Sequence, residues 1–184
     1  MVYYEKDHSE GRRAHDVRKG VTAIIGAGGK TTLLLALAPM AGAEGDLFFV
    51  AVNDTIPVTL TSLPYTSGGV VYVPYTAFDA RPGGVVSAYN ATAQTFVLFT
   101  KDSRLVFDLA TGETSDENQN TSTQTALFRN GLLYIPLIFC ASHFGLKVSM
   151  LESQDGYPVL RFTTGSEVYD DSLFIEKAEN LIAY

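Results

Sequence analysis

Among its 184 residues the chain has one cysteine, Cys140, and three histidines, His8, His15 and His143. A lone thiol closes no internal disulfide, and three imidazoles scattered over the whole length build no histidine-rich metal site. Positive charge is scarce as well: 13 Lys+Arg against 20 Asp+Glu leave a formal charge of −7. That balance argues against a footprint for phosphate backbones or anionic lipid heads, so no nucleic-acid partner is expected. No uninterrupted apolar run approaches the ~20 residues that a spanning helix needs. What is present is 46% apolar residues with 18% charge, the composition of a folded chain. The length suits one ordinary domain or two small repeats.

The scarce basic residues are unevenly placed. Residues 1–43 hold six of them (Lys6, Arg12, Arg13, Arg18, Lys19, Lys30) against four acids, whereas the rest has seven against 16, a net of −9. After Arg18-Lys19 come apolar stretches at 21–25 and 33–38, then Pro39-Met40-Ala41-Gly42-Ala43 ahead of the acidic Glu44. Basic, then apolar, then A-x-A is the order of a secretory signal peptide cleaved after Ala43. The 20 residues before Val21 are long for its basic region, and a start near Val17 would make it compact. This reading places the protein outside the cell or at its envelope, with the membrane met only through residues 1–43.

The same segment carries a competing motif. Ile24-Ile25-Gly26-Ala27-Gly28-Gly29-Lys30-Thr31-Thr32-Leu33 resembles a phosphate-binding P-loop, in which backbone N–H groups with Gly28, Gly29 and Lys30 cradle phosphates and Thr31 meets Mg²⁺. The usual spacing asks for glycine where Ile24 stands. Leu105-Val106-Phe107-Asp108 imitates the acid-bearing strand of such proteins, but it sits in a hairpin pattern with no amphipathic helix after it. The alternative function is thus a small nucleotide-binding protein using Gly26–Thr32.

From Glu44 onward the pattern is short strands with turn punctuation. Strands over 47–52 and 56–61 flank Asn53-Asp54, and strands over 94–100 and 104–109 flank Lys101-Asp102-Ser103, each pair predicting a hairpin. Residues 112–125, GETSDENQNTSTQT, hold no apolar side chain and are expected to form an exposed loop or linker. On either side of it the chain repeats with an offset of 62: Gly69-Val70-Val71-Tyr72-Val73-Pro74 aligns with Gly131-Leu132-Leu133-Tyr134-Ile135-Pro136, then Gly83 with Gly145, Val86-Ser87 with Val148-Ser149, and Val97-Leu98 with Val159-Leu160. Each unit spells a strand ending in Pro, a short helix, a glycine at its C′ position, and a return strand. Pro82 predicts that the first helix frays by Ala80. The expected division is 1–43 signal-like, 44–110 first repeat, 111–125 polar loop, 126–165 second repeat and 166–184 helix. The fold class is α+β and β-rich.

The repeated Gly-x-x-Tyr-[Val/Ile]-Pro, short helix, Gly, strand unit is similar to the copper amine oxidase N-terminal-like domain, or stalk domain, over roughly residues 47–163. This chain has Thr76 and Ile138 where the family tends to have Arg, and Tyr89-Asn90 and Leu151-Glu152 where it tends to have Trp-Asp, which marks divergent copies. The resemblance implies a tandem, exported, non-catalytic module of the cell envelope, with cell-wall glycan or an envelope protein as partner. It implies no copper, because in amine oxidases this domain lies away from the metal. An accessory part of a truncated cell-wall enzyme is a third reading.

Single residues point to structure more than chemistry. Cys140, within Ile138-Phe139-Cys140-Ala141, reads as an inert buried thiol, and His143 as a helix-end residue without a triad pattern. Tyr65, Tyr72, Tyr75, Tyr89, Tyr134 and Tyr157 offer flat faces for sugars, but Tyr72 and Tyr134 hold equivalent strand positions and read as packing residues with bonded hydroxyls. Asp79, Asp108, Glu152 and Asp155 show no spacing that pairs them on one face, and Asp116-Glu117 reads as solvated loop charge. No catalytic, cofactor or metal residue is assigned. Asp170-Asp171-Ser172 supplies caps for a helix over 173–183, with Phe174, Ala178, Leu181 and Ile182 on one stripe.

Overall fold

The computed structural model describes residues 47–165 and 169–182. The signal-like segment, the loop Gly26–Thr32 with Gly28, Gly29, Lys30 and Thr31, and Glu44 lie outside the described residues.

Strands β1 (Phe48–Val52) and β2 (Thr55–Leu60) form the first expected hairpin, and Asn53 in its turn takes φ +52°, a left-handed value that Asn tolerates. Next come β3 (Tyr65–Ser67) and β4 (Val70–Pro74), a hairpin that sequence patterning alone did not separate. A 3₁₀ helix follows Pro74 over Tyr75–Ala80 and stops at Arg81, the residue that Pro82 bars from continuing it. A further 3₁₀ turn, Pro82–Gly84, leads into β5 (Val86–Asn90), β6 (Thr95–Phe99), β7 (Arg104–Asp108), β8 (Thr114–Asp116) and β9 (Thr121–Ser122). Then β10 (Leu127–Arg129), β11 (Leu132–Pro136), helix α1 (Leu137–His143), β12 (Lys147–Glu152), β13 (Pro158–Thr163) and helix α2 (Asp171–Ile182) complete the described chain.

The strands make three sheets. A terminal sheet has the order β12-β13-β1-β2, a central sheet β10-β11-β4-β3, and a meander sheet β5-β6-β7-β8-β9. All pairings are antiparallel except β1 with β13, where Phe49–Val52 run parallel to Val159–Phe162. In the central sheet β4 meets β11 with Val73 opposite Ile135, Tyr72 opposite Pro136 and Pro74 opposite Tyr134. The architecture is β-rich, with three sheets and a C-terminal helix.

One apolar cluster joins the inward faces of all three sheets to the helices: Phe48, Val50, Leu160 and Phe162 from the terminal sheet, Val73 and Ile135 from the central one, Phe96, Leu98, Leu105 and Phe107 from the meander, with Phe78 and Leu137. Fully burying one such side chain stabilises by roughly 1.5–3 kcal/mol. On the other side of the terminal sheet, Phe174 and Ala178 of α2 pack on Phe49, Ala51 and Val159. β1 and β13 are therefore covered on both faces, which explains their nearly continuous apolar sequence.

Two expectations need correction. Residues 112–125 are not wholly loop: β8 and β9 extend the meander sheet, and Thr114 is 1% exposed with its hydroxyl donating to the Gln124 carbonyl. A polar segment can pair because a strand needs backbone groups, not apolar side chains, on an edge. The alignment of Val86 with Val148 also fails in facing: Val85, not Val86, reaches the core in the first stretch, whereas Val148 packs on the core in the second. The extra Pro82–Gly84 turn, with Gly83 and Gly84 at φ +60° and +78°, shifts the return strand by one pleat.

Candidate functional site

His143, in the last turn of α1, has company that its sequence neighbours do not show. Its Nε2 lies 2.7 Å from Ser103 Oγ and 3.2 Å from Glu117 Oε2, and Ser103 donates to the same carboxylate at 3.2 Å. A nucleophile relay needs serine on one imidazole nitrogen and the orienting acid on the other. Here both oxygens converge on Nε2, so the geometry is a clamp between α1 and the meander sheet. Glu117 also accepts the Arg104 N–H, and Asp116 accepts from the Asn118 and Asn120 backbone and the Asn120 amide. These bonds hold Glu117 below the usual carboxylate range, its own backbone N–H contributing most, and hold Asp116 there chiefly through the Asn120 side chain. Glu117 is an exposed turn residue, in keeping with solvated loop charge, and these bonds also tie the pair to the fold.

The tyrosines separate into two groups. Tyr65 stacks on Tyr72 at 5.4 Å and meets Tyr134 edge-on at 4.9 Å, with Arg129 4.4 Å above the Tyr65 ring. Tyr72 and Tyr134 are buried, and the Tyr134 hydroxyl donates to the Leu63 carbonyl, as expected of packing residues. Burial raises the pKa of all three. Tyr75 packs on Phe96 and Tyr157 on Phe49, leaving Tyr89 exposed. Cys140 is buried and desolvation pushes its thiol up, which suits an inert side chain. Among the acids, Asp79 accepts from Ser87 and Asp108 from Ala110 and Thr111, each within its own stretch. Glu152 ends β12 opposite Pro158, and Asp155 lies in the turn between β12 and β13. No group of three or more His, Cys, Asp or Glu among the described residues is arranged to hold a metal.

Arg161 is the residue that sequence reading missed. Fully buried in β13, it donates from Nε to the Asn53 carbonyl, from Nη1 to Asp171 at 2.9 Å, and from Nη2 to Asp54 at 2.9 Å and to the Tyr169 carbonyl. Its guanidinium also lies 4.5 Å over the Phe174 ring. A buried charge is tolerated only when its donors are satisfied, and four hydrogen bonds do that here. The available signal was a lone arginine inside the apolar run Pro158-Val159-Leu160-Arg161-Phe162. Arg161 fixes the β1–β2 turn and α2 to one strand, a structural role.

A different surface is left uncovered by the described residues. Leu105 and Phe107 point into the core, so Arg104, Val106 and Asp108 point outward from β7, and the register places Val97 and Phe99 of β6 and Val86 and Ala88 of β5 on the same face. Phe99 is 38% exposed there. No helix among the described residues covers this face, and none is long and apolar enough to cross a membrane. Compared with known proteins, the chain matches no family model, no curated protein and no solved structure.

Proposed function

We propose that this protein is an exported, non-catalytic binding or spacer module of the cell envelope, a divergent stalk-type chain of two tandem strand, short helix, strand units. The observation that carries the reading is the β4–β11 pairing. Val73 and Ile135 are 62 residues apart and face each other, and their neighbours pair reciprocally, Tyr72 with Pro136 and Pro74 with Tyr134. Equivalent positions meeting around one point is the pairing that two like units related by a local two-fold axis would make. In support, β3 and β10 each form a hairpin with the strand that follows, β4 and β11, both prolines are buried and precede a helix, and Gly83 and Gly145 both take positive φ. Two units sharing one core make a stiff block, suited to presenting a surface or holding a distance. Cell-wall glycan or an envelope protein is the partner class this role calls for.

The test is the intact mass of the protein recovered from its native host, paired with nucleotide titration of the full-length chain. The proposal expects a mature N-terminus at Glu44 and no ATP binding. An uncut chain that binds ATP with Mg²⁺, and loses it in Lys30→Ala, would replace this reading with the nucleotide-binding one.

A further inference from the structure

We infer that the outward face of the meander sheet is covered by a second copy of this chain, packed face to face about a two-fold axis. The face is apolar at its middle, with Val97 of β6 and Val106 of β7 side by side in register. Phe99 and Ala88 are exposed beside them. Along β7, the middle strand of five, the outward residues read Arg104, Val106, Asp108: positive, apolar, negative. Neither charge makes an ion pair within the chain among the described residues. Asp108 is held ionised by the Thr111 and Ala110 N–H groups that it accepts.

That order selects the partner. A two-fold axis lying between stacked sheets and crossing the strands at Val106 runs the two β7 strands in opposite directions. It sets Arg104 of each copy against Asp108 of the other, twice over, and stacks Val106 on Val106 and Val97 on Val97. Packed sheets stand about 10 Å apart, a gap that Arg and Asp side chains bridge from opposite sides. A surface complementary to itself under a two-fold axis is the requirement for a closed dimer. A neutral glycan would leave the Arg104 guanidinium without an opposite charge. The apolar part of the patch is a few side chains wide, so self-association is expected to be weak and concentration-dependent. The net charge of −7 opposes association, and salt near 0.15 M screens it beyond about 8 Å.

The experiment is sedimentation equilibrium of the full chain at that salt, on the parent, Arg104→Asp, Phe99→Glu and Asp108→Arg, with folding followed by circular dichroism. The parent should reach twice 19.9 kDa with rising concentration. Arg104→Asp and Phe99→Glu, both at exposed positions, should each weaken self-association at least tenfold. Arg104→Asp mixed with Asp108→Arg should form a heterodimer tighter than either alone, because an all-acidic row then meets an all-basic one. That rescue distinguishes this face from association through residues 1–46. Should Asp108→Arg fail to fold, since Asp108 also closes its own turn, the other two variants decide. A parent monomeric at about 1 mM, or a dimer indifferent to both Arg104→Asp and Phe99→Glu, would overturn the inference and leave the face to a glycan or another protein.

Discussion

Phe99 and Arg161 stand 62 residues apart, each on the outward face of the second strand in the antiparallel pair that follows a helix. Phe99 is 38% exposed, while Arg161 is fully buried. The more apolar residue is at the surface and the charged one is inside. The difference lies in what covers each sheet's outward face: α2 lies over that of the terminal sheet, bringing Asp171, the Tyr169 carbonyl and the Phe174 ring to Arg161, and no described element lies over that of the meander. Among the described residues burial follows what lies over a face, and a charge is accepted where that cover brings fixed partners.

Removing the cover should have the largest effect of the perturbations that probe this contrast. Phe174→Ala deletes the main apolar contact of α2 and is expected to cost about 3–5 kcal/mol, read by urea unfolding; a loss below about 1 kcal/mol would mean that α2 does not close the sheet. Next comes the helix-ending glycine. Gly145 sits at φ +65° with nothing near its added Cβ, so Gly145→Val should lose about 1–2 kcal/mol through backbone strain alone, visible as a lower Tm. Slightly smaller is the cap of α2: Asp170 Oδ1 accepts the Leu173 N–H at 2.8 Å, and Asp170→Ala should cost about 1 kcal/mol, mostly as fraying of α2 in hydrogen exchange.

The smallest expected effect belongs to the meander sheet and to pH. Asp108, Asp116 and Glu117 all lie below the usual carboxylate range because folded-state hydrogen bonds favour their ionised forms. Their unfolded counterparts take up protons first as pH falls, so this stabilisation is complete above the ordinary range near pH 4 and disappears as pH drops through the lowered folded values. Protection of the amides around β7 and β8, taken relative to the intrinsic exchange rate at each pH, should therefore fall in acid before that of β1 and β13. Equal loss of protection in both sheets would break the contrast. Tyr65, Tyr72 and Tyr134 act oppositely: their raised pKa values give stabilisation present below pH ~10 and lost as pH rises beyond it.

Local signals made much of this fold readable. Asn53-Asp54 and Lys101-Asp102-Ser103 marked real hairpins, Pro74 and Pro136 marked strand ends followed by helices, and Pro82 marked where the first helix stops. Asp170 caps α2, and Phe174 and Ala178 are its buried stripe, while the side chains of Leu181 and Ile182 lie outside the described residues. What stayed hidden was non-local. The parallel β1–β13 pair joins residues more than 100 apart, and no turn announces it. Arg161 finds Asp54 at a separation of 107, and His143 finds Ser103 at 40, so neither cluster has a spacing to recognise. The strands β8 and β9 escaped because edge pairing through backbone groups leaves no apolar period.

The most direct measurement sets Arg161→Ala beside Phe99→Ala in equilibrium urea unfolding, at protein concentrations low enough to keep the chain monomeric. Arg161→Ala strands the partly exposed carboxylates of Asp54 and Asp171 and two backbone carbonyls, so the lower end of the buried-pair range applies, about 3 kcal/mol. Phe99→Ala removes a side chain already in water on one side and should cost about 1 kcal/mol or less. Losses of equal size, or a larger one for Phe99→Ala, would contradict the claim that α2 closes the outward face of the terminal sheet while no described element closes that of the meander.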